Sequence, residues 1–210
     1  MSAGLFLTLE GGEGAGKSTL LTRLQAAFAA TGREVVATRE PGGTPGADLI
    51  RALLVQGDAK RWDPLTEALL LAAARRDHIR TVIQPALDRG AVVLCDRFVD
   101  STRAYQTGAG GLPRQVVEDL TALIEAPKPD ATLLLDLPPE AGLERARGRA
   151  GGEDRFERLG LAFHARVREA FLRLAAEDPG RFLVLDASQN ADTVEAAARD
   201  GLNARLGLKL

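Results

Sequence analysis

The sequence predicts an α/β domain built on a parallel sheet of five strands. Short apolar runs alternate with longer stretches of helical period along the whole chain, the mark of repeated strand-helix-strand units. Several of the short runs are nearly continuous in Val, Leu and Ile, as strands covered on both faces should be. Glycine and proline punctuate the joints.

In chain order, Leu5 to Leu9 is the first strand. Leu20, Leu21, Leu24, Ala27 and Phe28 then line one face of a helix that Gly32 ends. Glu34 to Thr38 is the second strand. Pro45-Gly46 opens a short helix, and Pro64 stands in the first turn of the next, where a missing N–H is tolerated. Within that helix, Ala72-Ala73-Ala74 reads as close packing. Ala91 to Cys95 and Ala131 to Asp136 are the third and fourth strands, and Pro139 stands in the first turn of the helix that follows. Phe163, Val167, Ala170, Phe171 and Leu174 share a helical face, Pro179-Gly180 stops that helix, and Phe182 to Asp186 is the last strand.

Composition excludes several classes of function. As one compact unit, a chain of 210 residues buries roughly 70% of its unfolded surface, so a single domain over 1–210 needs no disulfide or metal staple. With 45% apolar and 27% charged residues, it lies outside the disordered range. A formal net charge of -2 leaves no cationic excess for a nucleic-acid backbone, so no nucleic-acid partner is expected. Cys95 stands alone with only His78 and His164, too few for a disulfide framework or a Cys/His zinc site. These three read as structural residues, and a reducing, cytoplasmic compartment fits them. No apolar run approaches the roughly 18 residues of a membrane span. No basic segment precedes the first strand, so neither membrane insertion nor export is expected.

The first strand runs into Gly11-Gly12-Glu13-Gly14-Ala15-Gly16-Lys17-Ser18, which fits G-x-x-x-x-G-K-[ST], and Thr19-Leu20-Leu21 opens a helix behind it. A loop that wraps a phosphate turns its N–H groups inward, which needs backbone angles that glycine adopts at low cost. The helix N-terminus adds partial positive charge. Lys17 can bridge the β and γ phosphates of ATP, and the Ser18 hydroxyl is placed to ligate Mg²⁺. A guanine-reading Asn-Lys-x-Asp segment is absent, since Asn190 and Asn203 are each followed by Ala. The second lysine of partitioning ATPases is absent too, because Glu10, Gly11 and Gly12 fill that stretch. A small kinase remains.

Three further segments identify the acceptor. Thr38-Arg39-Glu40-Pro41-Gly42-Gly43-Thr44 follows the second strand, and Asp96-Arg97-Phe98 ends the third, with Ser101, Thr102, Tyr105 and Gln106 downstream. From Glu144 to Phe156, glycine and alanine alternate with Arg145, Arg147, Arg149 and Arg155. Together these resemble the thymidylate kinase family over essentially the whole chain. Gly14 stands where eukaryotic members carry an arginine, so the resemblance is to the bacterial kind, whose catalytic arginine comes from a lid. The resemblance implies a three-layer P-loop kinase fold with strand order 2-3-1-4-5 and a mobile Arg-rich lid at about 144–158. It also implies ATP and Mg²⁺, phosphorylation of dTMP to dTDP, and a homodimer for which Leu69, Leu70, Ala73 and Ala74 offer apolar faces.

Arg97 stands at the carboxyl edge of a parallel strand, where ligands of open α/β sheets collect. The resemblance gives it the acceptor phosphate, with Arg51 beside it. Asp96 ends a buried strand, where an unpaired carboxylate is costly. Nearness to Mg²⁺ or Lys17 would explain it, and a structural cap is the alternative. By resemblance, Glu13 faces the 3'-hydroxyl, Arg75 reads the pyrimidine edge, and Tyr105 lies under the deoxyribose and disfavours a 2'-hydroxyl. Arg39, Pro41, Ser101, Thr102 and Gln106 fall in the same acceptor segments. Leu71 stands four residues before Arg75, where many members place a stacking ring; it offers apolar contact but no ring face. Arg147, Arg149 and Arg155 are the lid arginines that would reach the ATP phosphates, the alternative being a solvated basic helix end. The rival readings are a kinase for dUMP, CMP or AMP, and a non-catalytic nucleotide-binding switch. A sensor of ATP alone has no need of a second phosphate site at Arg97.

Overall fold

The computed structural model describes residues 4–58, 61–146 and 155–210. Most of the expected lid, with Arg147 and Arg149, lies outside the described residues. Five parallel strands form one sheet in the order β2-β3-β1-β4-β5. They are β1 (Leu5–Gly11), β2 (Val35–Arg39), β3 (Val92–Asp96), β4 (Ala131–Asp136) and β5 (Phe182–Asp186). β1 extends past the expected Leu9 because Glu10 and Gly11 still pair with Leu134 and Leu135. β2 and β3 each end one residue later than expected, since Arg39 pairs with Asp96.

The helices are α1 (Lys17–Ala30), α2 (Pro45–Val55), α3 (Pro64–His78), α4 (Gln84–Asp88), α5 (Val99–Thr102), α6 (Arg114–Leu123), α7 (Pro139–Ala146), α8 (Leu161–Glu177) and α9 (Ala191–Leu206). Local chemistry sets their starts. Thr44, Asp63 and Asn190 each accept N–H bonds from the first turn that follows, and Pro45 and Pro64 occupy first-turn positions.

Alternation along β1 divides the core into layers. Leu5, Leu7 and Leu9 face α1 and α9, where Leu20, Leu24, Phe28, Ala198 and Leu202 are buried. Phe6 lies on the opposite face with Ile79, Ile83, Val117 and Phe98, whose ring meets it edge-on at 5.0 Å. α8 closes that side further along, burying Val167, Phe171 and Leu174 against Leu134 and Tyr105.

Besides a short 3₁₀ turn at Glu157–Leu159, two stretches among the described residues depart from regular helix. Ile79–Ile83 and Arg103–Ala109 are π-helical, with a wider turn than the i→i−4 ladder. The first leads into Pro85, which has no N–H to continue a regular ladder. The second follows α5 and carries Tyr105 and Gln106 to the carboxyl edge of the sheet.

Candidate active site

The site begins where β1 stops. Gly14 and Gly16 take left-handed angles, φ 68° and 95°, and turn the chain into α1. A Cβ on Gly14 would overlap the carbonyl oxygen of Gly142 in α7, and one on Gly142 would overlap the carbonyl oxygen of Glu13. The loop and α7 therefore touch backbone to backbone, which leaves no room for an arginine at position 14. Lys17 folds back over this loop and donates to the carbonyls of Gly11 (3.2 Å) and Gly12 (2.9 Å). Burial and the neighbouring Arg97 lower its pKa.

Beside it, Ser18 Oγ donates to Asp96 Oδ2 at 3.1 Å. Asp96 Oδ1 is buried and has no hydrogen-bond partner among the described residues. One hydroxyl and one carboxylate with a spare oxygen suit a hard divalent cation such as Mg²⁺, which takes oxygen ligands and keeps several waters.

Arg97 is a non-glycine residue in the left-handed region, φ 69°. Its N–H still donates to Leu9 O (2.9 Å), so the turn is anchored to β1 while the side chain swings under the loop. Nη1 donates to Gly11 O (2.9 Å) and Ser101 Oγ (3.1 Å), and Nη2 to Glu13 Oε1 (2.9 Å). The guanidinium lies 5.1 Å from the Tyr105 ring centroid, and the Tyr105 hydroxyl donates to the same Glu13 oxygen (2.8 Å). Burial pushes the Glu13 carboxyl upward, but Arg97, Lys17 and the Tyr105 hydroxyl outweigh it and hold the pKa at about 2.

A cavity opens from this cluster toward α2 and α3, and every expected acceptor residue except Arg39 lines it. Arg51 donates to Pro41 O (2.7 Å), at the cis Glu40–Pro41 peptide. Arg75 is buried, with Nε on Glu40 Oε2 (2.6 Å), Nη2 on Thr102 Oγ1 (3.1 Å) and its plane 5.1 Å from the Phe98 ring. His78 Nδ1 lies 2.9 Å from Glu40 Oε1 and its Nε2 lies 2.7 Å from Thr38 Oγ1, so this histidine braces the carboxylate that orients Arg75. Cys95 lies near them, but its Sγ–H donates to Arg97 O at 3.0 Å and burial pushes the thiol well up. Arg39 does not line the cavity, but its side chain reaches the same glycine turn as Arg51: a Cβ on Gly42 would lie 3.7 Å from both Arg39 Nε and Arg51 Cδ.

Arg155 also lies elsewhere than on the donor side. It is 1% exposed and donates to Glu67 Oε1 (2.5 Å), Leu54 O (3.0 Å) and Asp58 O (2.9 Å). Gln106 Nε2 donates to the other Glu67 oxygen (2.8 Å), and Phe156 packs edge-on against Tyr105 at 5.8 Å. Within the expected lid, Phe156 thus lines the first cavity, and Arg155 packs behind it on the Glu67 that also holds Gln106. Glu10, Glu40, Glu67 and Phe156 have no role assigned from the sequence, where Glu10 stands out as a charge inside an otherwise apolar strand and Glu40 as a member of the Thr38–Thr44 segment.

A second cavity lies on the other side of the loop, lined by Gly14, Gly16, Thr19 and Arg23 together with Arg145 and Ala187. Arg145 donates to Ala187 O at 3.1 Å. Glu13 lines the first cavity and Gly14 the second, so one loop separates the two chambers.

Comparison with known proteins gives consistent matches. The sequence model described as thymidylate kinase matches residues 9–198. The thymidylate kinase of Caulobacter vibrioides is 54% identical over 209 residues, covering 99% of this chain and 100% of the relative. That of Ruegeria pomeroyi is 52% identical over 193 residues, 92% of each. The crystal structure of thymidylate kinase from Ehrlichia chaffeensis superposes with a TM-score of 0.74 at 30% identity, covering 95% of this chain and 99% of that one.

Proposed function

Because the chain belongs to the thymidylate kinase family and is a nucleoside monophosphate kinase, we propose that it catalyses ATP + dTMP → ADP + dTDP with Mg²⁺. The observation that carries this reading is the pair of cavities divided by one glycine-rich loop, with Lys17 on the dividing line and Arg97 beneath it.

In this reading the loop amides cradle the donor phosphates, and Lys17 exchanges the carbonyls of Gly11 and Gly12 for phosphate oxygens. Ser18 and Asp96 would hold Mg²⁺, which when bound supplies positive charge to the donor phosphate oxygens. Arg97 grips the acceptor phosphate, a task for a planar fork that stays protonated. The acceptor is already ionised near neutral pH, its second pKa being near 6, so no general base is required. Catalysis is then alignment and charge stabilisation. Glu13 accepts from the 3'-hydroxyl, Tyr105 packs against the sugar, and Arg75 and Gln106 meet the base over Leu71. Arg147 and Arg149 keep the role of lid arginines approaching the donor, while Arg155 serves the acceptor wall.

The same reading includes a homodimer in the cytoplasm, where Cys95 would stay reduced. Leu49 (75% exposed) on α2 and Leu69 (50%) on α3 support a shared apolar face, whereas Ala74 is buried and belongs to the core. Among the described residues no helix is long and apolar enough to cross a membrane. ADP formation with dTMP, dUMP, CMP and AMP competing at equal concentration tests the acceptor. Preference for dTMP is expected, and preference for AMP would reject it.

A further inference from the structure

Glu10 is fully buried in β1, the central strand, where an apolar residue would pack at no electrostatic cost. Among the described residues, no arginine or lysine bonds to it. Its Oε1 accepts from the N–H groups of Phe98 (2.8 Å) and Ser101 (3.3 Å), and its Oε2 accepts from Ser101 Oγ (2.6 Å). A serine hydroxyl has one hydrogen and two lone pairs. With that hydrogen given to Glu10, Ser101 Oγ can only accept toward its other neighbour, and that neighbour is Arg97 Nη1 at 3.1 Å.

We propose that Glu10 is a positioning residue for the acceptor phosphate: it fixes the Ser101 hydroxyl so that this oxygen aims the Arg97 guanidinium. The inference rests on the reading of Arg97 as the acceptor-phosphate ligand. Burial, and then Asp100, raise the Glu10 pKa to about 7, against the opposing pull of Ser101, Arg97 and the Phe98 amide; Lys17 and Cys95 are the other titratable groups in its field. The ionised form is the one that must take the serine hydrogen, so the aim of Arg97 improves as pH rises through that value.

Glu10→Gln separates this role from simple core filling. With Oε1 still serving the two amides, the new NH₂ faces Ser101 Oγ and donates to it, so the hydroxyl hydrogen loses its acceptor and the oxygen is no longer pinned toward Arg97. The KM for dTMP rises about tenfold, the scale of one charge-assisted hydrogen bond, while the KM for ATP stays near wild type and the thermal midpoint does not fall. Wild-type kcat/KM for dTMP shows an ionisation near 7 that the variant lacks; the acceptor's own phosphate titrates alike in both. Ser101→Ala raises the same KM, and adding Glu10→Gln to it brings no further rise. An unchanged KM for dTMP, an equal rise for both nucleotides, or additive effects in the double variant overturns the proposal. Should Glu10→Gln fail to fold, Ser101→Ala and its pH profile decide on the same criteria. Arg97→Ala distinguishes the two levels. If it leaves the KM for dTMP unchanged, the acceptor-site reading fails; if it raises that KM and Glu10→Gln does not, only the role of Glu10 fails.

Discussion

Glu13 lies among Arg97, Lys17 and the Tyr105 hydroxyl, and its carboxyl falls from its ordinary 4.5 to about 2 in spite of burial. A carboxyl depressed in the folded state contributes stability above its unfolded value and loses it as pH falls through the folded one. Denaturant unfolding of the wild type and of Glu13→Gln from pH 7 to pH 2 should therefore show a gap that is constant above about 4.5 and narrows below it. A gap independent of pH would mean that Glu13 is not held ionised by its neighbours. At this scale the sequence was legible where a motif fixes the backbone. Lys17, Ser18 and Arg97 stand at strand and helix ends whose direction is set. It was less legible where a motif says only that a residue is near. Arg39 belongs to the same segment as Pro41, yet it ends β2 without lining the cavity, its side chain lying beside Gly42. Glu67 and Arg155 meet only because α3 and the segment before α8 pack together, and no local spacing announces that.

α7 carries a glycine in mid-helix, where alanine would ordinarily favour the helix by about 1 kcal/mol. Contact reverses the sign here. A Cβ at Gly142 meets the carbonyl oxygen of Glu13, so Gly142→Ala must push α7 and the phosphate loop apart. The variant should lose about 1–3 kcal/mol of stability, the range for overpacking, and weaken ATP more than dTMP. Thermal unfolding and the two KM values check this, and a more stable variant would show that the two backbones are not pressed together. Elements with a strong period were readable. β4 and β5 fall on their expected bounds, β1 gains two residues at its carboxyl end, and β2 and β3 each shift by one residue toward that end. The π-helical stretch Arg103–Ala109 has no such signature. It packs closely on α8, where a Cβ on Gly108 would overlap that of Ala170, and no local spacing announces that contact.

At the level of the molecule, one loop at the carboxyl edge of β1 divides two chambers, and α2 and α3 form the outer wall of one of them. Those helices also carry Leu49, Leu53, Leu65 and Leu69 on their outward faces. In the proposed dimer that face is covered, so the substitutions Leu49→Glu and Leu69→Glu together should convert a sedimenting dimer to monomer. Wild-type chain sedimenting as a monomer ends that part of the reading. The sheet order followed from the family resemblance and not from periodicity, since apolar runs reveal strands but not their neighbours.

The left-handed angle at Arg97 sets the main chain and the guanidinium at odds. Main chain at that angle favours a residue without a β-carbon by about 1–2 kcal/mol, whereas the proposed grip on the acceptor phosphate calls for a long cationic side group. Truncated to glycine, the position would fold more comfortably than truncated to alanine and be just as idle. Thermotolerance and turnover therefore select different residues at this one place.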